Sequence, residues 1–159
     1  TLALKDAAKP KRDALAWKWQ SPVAMAPGDV GDPTNDGGLR LCVYDQTAGV
    51  SALALAVDLP PGGLCGRKPC WKPTKSGIGY QRAAKGETGR AAFRFKAGLK
   101  NAGFALTATG PELAMPTLPL HKDPRVIVEL HRTDAPVCWA ARYGAVKRAK
   151  LGVFKAVSE

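Results

Sequence analysis

The sequence predicts an all-β fold: a single antiparallel β-sandwich, jelly-roll or immunoglobulin-like, of about eight or nine strands with two disulfides. Three observations lead there. Apolar and polar residues alternate with period two along most of the chain, Gly and Pro punctuate it at short intervals, and the cysteines form an even set of four. The 159 residues suit one domain with a real core, and 45% apolar with 23% charged residues is the composition of a folding chain.

Residues 1–12, rich in Lys and Ala, read as a loose basic lead-in, and 13–159 as the domain proper. The first predicted strand, 13–20, rests on Trp17 and Trp19 flanking Lys18. Alternation in "LRLCVYD" gives 39–46. The Ala- and Leu-rich stretch that follows imitates a helix, but Val57, Leu59 and the Pro60-Pro61 stop favour a strand over 50–59. Further strands are expected at 78–82, 90–97, 103–109, 125–131 and 137–143, and "GAVKRAKLGVFKAVSE" is read as ending in an edge strand over 151–157 rather than in a helix. Turn signals separate them at Pro27-Gly28, Asp36-Gly37-Gly38, Pro60 to Gly63, Gly86, Gly98 and Gly110-Pro111. Residues 110–124 carry four prolines and are expected to run as an extended connector along the sandwich edge.

"LCGRKPCWK" is the densest cluster of chemically capable residues. Four residues between Cys65 and Cys70 exceed a redox C-x-x-C spacing, and the scattered Cys42 and Cys138 do not complete a zinc site. The preferred pairing is Cys65 with Cys70 and Cys42 with Cys138. The second bridge requires the strands of Cys42 and Cys138 to be neighbours, and closes a loop of 95 intervening residues. Two disulfides imply an extracytoplasmic setting. No apolar run is long enough for a spanning helix, and the opening residues lack the three-part character of a secretory signal.

A formal charge of +11 attracts polyanions, among them acidic polysaccharides, anionic envelope lipids and nucleic acid. In "RAAFRFK", Arg90, Arg94 and Lys96 fall on one face of a strand opposite Phe93 and Phe95, with Arg82 and Lys100 placed to extend that face. Aromatic rings offer stacking surfaces for sugars. Trp19 and Trp139 read as core. Trp71, next to the Cys65–Cys70 loop with Arg67, Lys68 and Lys72, is the stacking candidate together with Tyr80 and Trp17. The acidic turn Asp29 to Asp36 departs from the calcium-loop spacing and reads as turn chemistry. His121 and His131 begin no metal motif. Neither a nucleophile elbow, a phosphate loop nor a dinucleotide fingerprint is present, and no helix or stacking motif suggests specific nucleic-acid readout.

The segments "GDPTNDGGLRLCVYD", "LPPGGLCGRKPCWK" and "VCWAARY" resemble a group of secreted bacterial β-rich domains with no established activity, and the resemblance covers nearly the whole chain. It implies an exported, disulfide-linked module and supplies no catalytic residue or ligand. The expectation is a non-catalytic binding or accessory module for carbohydrate or an anionic cell-envelope polymer, needing no cofactor or metal. Its expected contacts are Trp71, Tyr80, Trp17, Arg67, Lys68, Lys72, Arg90, Arg94 and Lys96. The alternatives are a structural or protein-docking module of a larger secreted protein, and an enzyme acting on an envelope polymer.

Overall fold

Alternation of side chains across the backbone decides which segments become strands, because a two-residue period puts all apolar groups on one face. In the computed structural model, which describes residues 1–82 and 89–159, the chain is all-β, with short 3₁₀ turns and no α-helix among the described residues. The turn signal at Gly86 lies outside the described residues. In chain order the strands are β1 (Leu2–Lys5), β2 (Ala14–Gln20), β3 (Leu39–Thr47), β4 (Val50–Leu59), β5 (Leu64–Cys65), β6 (Lys68–Pro69) and β7 (Trp71–Thr74). They continue as β8 (Gly77–Arg82), β9 (Arg90–Lys96), β10 (Gly103–Thr109), β11 (Val126–Arg132), β12 (Cys138–Tyr143), β13 (Ala145–Lys150) and β14 (Val153–Val157).

They form an eight-stranded antiparallel sheet in the order β13-β14-β1-β2-β10-β9-β8-β7, a four-stranded sheet in the order β12-β11-β3-β4, and the small hairpin β5-β6. Inward side chains of both large sheets join one core. Leu2, Leu4, Leu15, Trp17, Phe93, Phe95, Phe104 and Phe154 come from the eight-stranded sheet, and Leu41, Val43, Val128, Leu130 and Tyr143 from the four-stranded one. Phe104 is the meeting point. Its ring lies 5.4 Å from Trp19, 5.8 Å from Phe93 and 5.3 Å from Phe95 on its own sheet, and 4.9 Å from Trp139 on β12. Beside it, the Trp17 indole N–H donates to the Tyr143 hydroxyl at 2.8 Å, one buried polar link between the sheets.

Three expectations are corrected. Residues 1–12 are not a loose lead-in: Leu2 and Leu4 are buried, and β1 lies inside the eight-stranded sheet between β14 and β2, since "LALK" alternates like any other half-buried strand. The chain has one disulfide, Cys65–Cys70, and not two; Cys42 and Cys138 are free thiols. The reason is strand order. Cys42 sits opposite Glu129 and Cys138 opposite His131, so β11 separates their strands by two inter-strand gaps, about 9.6 Å, beyond the reach of roughly 7 Å that a disulfide allows between Cα atoms. The last sixteen residues form a hairpin of two strands, β13 and β14, where one was expected.

The proline-rich connector is held rather than loose. The buried Asp45 carboxylate accepts the backbone N–H groups of His121 and Lys122 at 2.8 Å each and lies 2.9 Å from His121 Nδ1, while Leu118 and Leu120 enter the core.

Burial pushes the Tyr143 hydroxyl from its ordinary 10.0 up to about 12, against the smaller opposing effect of the Trp17 hydrogen bond. Between those two values the folded protein keeps a proton that the unfolded chain has lost, so stability falls as pH rises through 10 toward 12. Tyr143→Phe is expected to lower stability at neutral pH by about 1–2 kcal/mol, since it orphans the Trp17 N–H, and to flatten this alkaline decline. Urea titrations of both proteins at neutral and alkaline pH would show parallel pH profiles if Tyr143 were not the group responsible.

Candidate functional site

Burial of one face of the eight-stranded sheet determines what the other face presents. In β9 the inward Ala91, Phe93 and Phe95 leave Arg90, Ala92, Arg94 and Lys96 outside. In β2 the inward Leu15 and Trp17 do the same for Lys18, and in β7 the inward Trp71 does so for Lys72. Apart from β8 and β10, every strand of this sheet sets a Lys or Arg on this face, and no strand of the sheet carries an Asp or Glu.

Register lines these cations up. Lys72 pairs with Gly79, Gly79 with Arg94, Arg94 with Ala105, and Ala105 with Lys18, giving one transverse row across five strands. At about 4.8 Å per strand, successive cations stand roughly 9.6 Å apart, separated by residues with one side-chain carbon or none. In the adjoining row Lys96 lies between Gly77 and Gly103, and Gly103 pairs with Gln20, whose amide donates to Asn101 Oδ1 at 2.8 Å. Lys18, Gln20, Arg94, Lys96 and Asn101 border an open recess of about 810 Å³. The side chains of Lys18, Lys72, Arg94 and Lys96 form no ion pair among the described residues. Farther along the same sheet Arg148 stands directly opposite Lys155, a like-charge pair that a sheet ordinarily disfavours.

The outer face of the four-stranded sheet is built otherwise. There Arg40 meets Asp58 at 3.5 Å and the His131 ring nitrogen lies 2.8 Å from Glu129, so each carboxylate has a local partner. Burial raises the Tyr44 pKa above its ordinary value, reinforced by the neighbouring Cys42 and by the Glu129 charge. A small recess of about 190 Å³ is bordered by Asp58 and Glu112, but Glu112 is bound to Arg82 at 3.0 Å and Asp58 to Arg40, so neither carboxylate stands alone there.

Of the expected contact residues, the fold brings Lys72, Arg94, Lys96 and Arg90 to one face. Arg67 and Lys68 are exposed on the disulfide hairpin and are not members of the transverse row; Gly66 makes its tight turn with φ +74°. The aromatic candidates are corrected. Trp71, Tyr80 and Trp17 are exposed by only 2%, 3% and 1%, so they offer no ring face for stacking. Trp71 turns inward because it pairs across strands with Tyr80, packs edge-on against Phe93, and donates its indole N–H to the Pro60 carbonyl at 2.8 Å. Arg82 does not extend the cationic face: it aligns with the inward Ala91 and turns to Glu112. Lys18, Gln20 and Asn101 join this face only through strand pairing; the local signal for Lys18 is its place between two inward tryptophans. In the acidic turn Asp32 accepts hydrogen bonds from Thr34 and from the Asn35 amide, which hold its pKa below the usual carboxylate value, Thr34 foremost.

No protein-family model, curated protein or solved structure matches the chain.

Trp71→Ala is expected to cost about 3–5 kcal/mol of stability, as for a large buried aromatic, measured by chemical denaturation. A loss below about 1 kcal/mol would mean the ring is not part of the core. A thiol assay on unfolded, unreduced protein should count the two free cysteines, Cys42 and Cys138, and no others; none at all would restore the second bridge.

Proposed function

We propose that the chain is an extracytoplasmic β-sandwich module that binds a linear anionic polymer, such as an acidic polysaccharide of the cell envelope, on the outer face of its eight-stranded sheet. The observation that carries this reading is a cationic face whose strands carry no Asp or Glu, and whose central cations have no ion pair among the described residues and fall in register. Two further features support the rest of it. Both large sheets contribute to one core, as sheets packed face to face do, and the Cys65–Cys70 disulfide suits an oxidising compartment.

Exposed cations each contribute little to a contact, commonly under about 1 kcal/mol. A row of them acting on one chain adds up, because each further contact is intramolecular once the first has formed. Arg94 sits at the centre with Lys72 and Lys18 to either side, Lys96 adds a second cation along β9, and Gln20 and Asn101 offer neutral polar groups suited to hydroxyls. Among the described residues this face has no row of exposed rings, which favours charge over stacking as the source of affinity.

Binding to immobilised acidic polysaccharide should be tight at about 50 mM salt and fall steeply by about 200 mM. The triple variant Lys18→Ala, Arg94→Ala, Lys96→Ala is expected to lose at least about tenfold in affinity and to lower the salt slope by roughly one unit for each cation removed. Unchanged affinity in a folded triple variant would defeat this reading.

A further inference from the structure

Three outward-facing glycines of the eight-stranded sheet differ in why they are glycine. At Gly77 and Gly103 the backbone demands it. Both have φ +157°, and a Cβ there would lie 2.3 Å from the Phe95 carbonyl oxygen or 2.2 Å from that of Trp19. Gly79 has neither constraint: an added Cβ would meet Phe93 O at 3.4 Å and Thr74 Cγ2 at 3.8 Å, ordinary contacts, and its φ is not in the left-handed range. A glycine within a strand weakens it, and where the backbone does not need one it marks a place of close approach by something else. Gly79 lies between Lys72 and Arg94, and Ala105 occupies the matching place between Arg94 and Lys18.

We infer that the polymer crosses the strands along this row, an acidic polysaccharide with anionic groups on alternate sugars whose intervening rings rest on Gly79 and Ala105. This inference rests on the polyanion-binding reading above and adds its path and chemistry. Cations roughly 9.6 Å apart match a charge carried once per disaccharide, while the bare backbone at Gly79 and the single methyl at Ala105 admit a flat ring between the long Lys and Arg stems. Nucleic acid fits less well. A duplex strand presents a phosphate every 3.4 Å or so, and single strands are held by exposed aromatic platforms, whereas the aromatic rings Trp17, Phe93 and Phe95 of this sheet point inward. The row from Lys72 to Lys18 spans four strand gaps, about 19 Å, which sets the length of polymer that fills it.

The test uses hyaluronan oligosaccharides of graded length, which carry a carboxylate on alternate rings, with the whole protein at about 50 mM salt. Affinity is expected to rise with length until an oligosaccharide spans Lys72 to Lys18, then to level off per molecule. Gly79→Thr is expected to weaken binding at least about tenfold while leaving the melting temperature unchanged or higher, since threonine favours strands. Ala105→Leu should weaken it likewise, and Ala3→Thr, on the same face but outside the row, should leave it unchanged. Wild-type binding that Gly79→Thr leaves intact would overturn the path while sparing the broader reading. Preference for single-stranded DNA, polyphosphate or phosphatidylglycerol vesicles at equal anion concentration would overturn the polysaccharide assignment. No binding of any polyanion by the wild type would defeat the broader reading itself.

Discussion

The packing of aromatic side chains around Phe104 is the constraint on which the rest depends. Phe104 projects from β10 into rings of β2 and β9 and reaches Trp139 of the other sheet, so it fixes which face of the eight-stranded sheet is inside. A strand cannot turn over by one residue without exposing its whole apolar set. Once Trp17, Phe93, Phe95 and Phe104 are committed inward, Lys18, Arg94 and Lys96 have no choice but to face outward, and the cross-strand register then determines how far apart they stand. The Trp17–Tyr143 hydrogen bond adds direction to this packing, since an indole N–H left without an acceptor in the core would carry a desolvation cost.

The cationic face carries an electrostatic cost that the other sheet avoids. On that sheet Arg40 stands beside Asp58 and Glu129 has the His131 ring as its hydrogen-bond partner, so its carboxylates are matched locally. On the eight-stranded sheet, Arg148 faces Lys155, and the Lys72 to Lys18 row contains no carboxylate. The spacing keeps the penalty small: roughly 9.6 Å exceeds the screening length of about 8 Å at physiological ionic strength, so neighbouring cations repel only weakly. The same distance leaves each cation free to meet a separate anion. A single small ligand would engage one or two of them; a polymer can engage the row.

Strand existence was largely legible in the sequence because period two is a local signal, and all eight segments from 13–20 to 137–143 coincide with β2, β3, β4, β8, β9, β10, β11 and β12 to within one residue at each end. Strand order was not, because pairing is non-local. Nothing in "LCVYD" or "VCWAARY" tells that β11 runs between them, and that placement alone removes the Cys42–Cys138 bridge. The site divides in the same way. Arg90, Arg94 and Lys96 could be read as one face from a single strand, whereas Lys18, Lys72 and Arg94 become neighbours only through the pairing of β2, β10, β9, β8 and β7. Trp71 was placed beside exposed lysines in sequence, yet alternation separates it from Lys72 by the thickness of the sheet.

The disulfide hairpin therefore acts on the site from a distance. β7 is four residues long and lies at the edge of the eight-stranded sheet, with a proline at its third position, the kind of strand that frays. Two anchors oppose fraying at its start. Cys70 is covalently tied to Cys65, and Trp71 is buried against Tyr80 and bonded to Pro60. The next residue is Lys72, the end of the transverse row. Burying Trp71 is thus what aims Lys72 outward, and tying down Cys70 reduces the conformational freedom that Lys72 would otherwise have to lose on meeting an anion. The buried aromatic and the cation proposed as a contact are consecutive residues of one strand, and the first sets the position of the second.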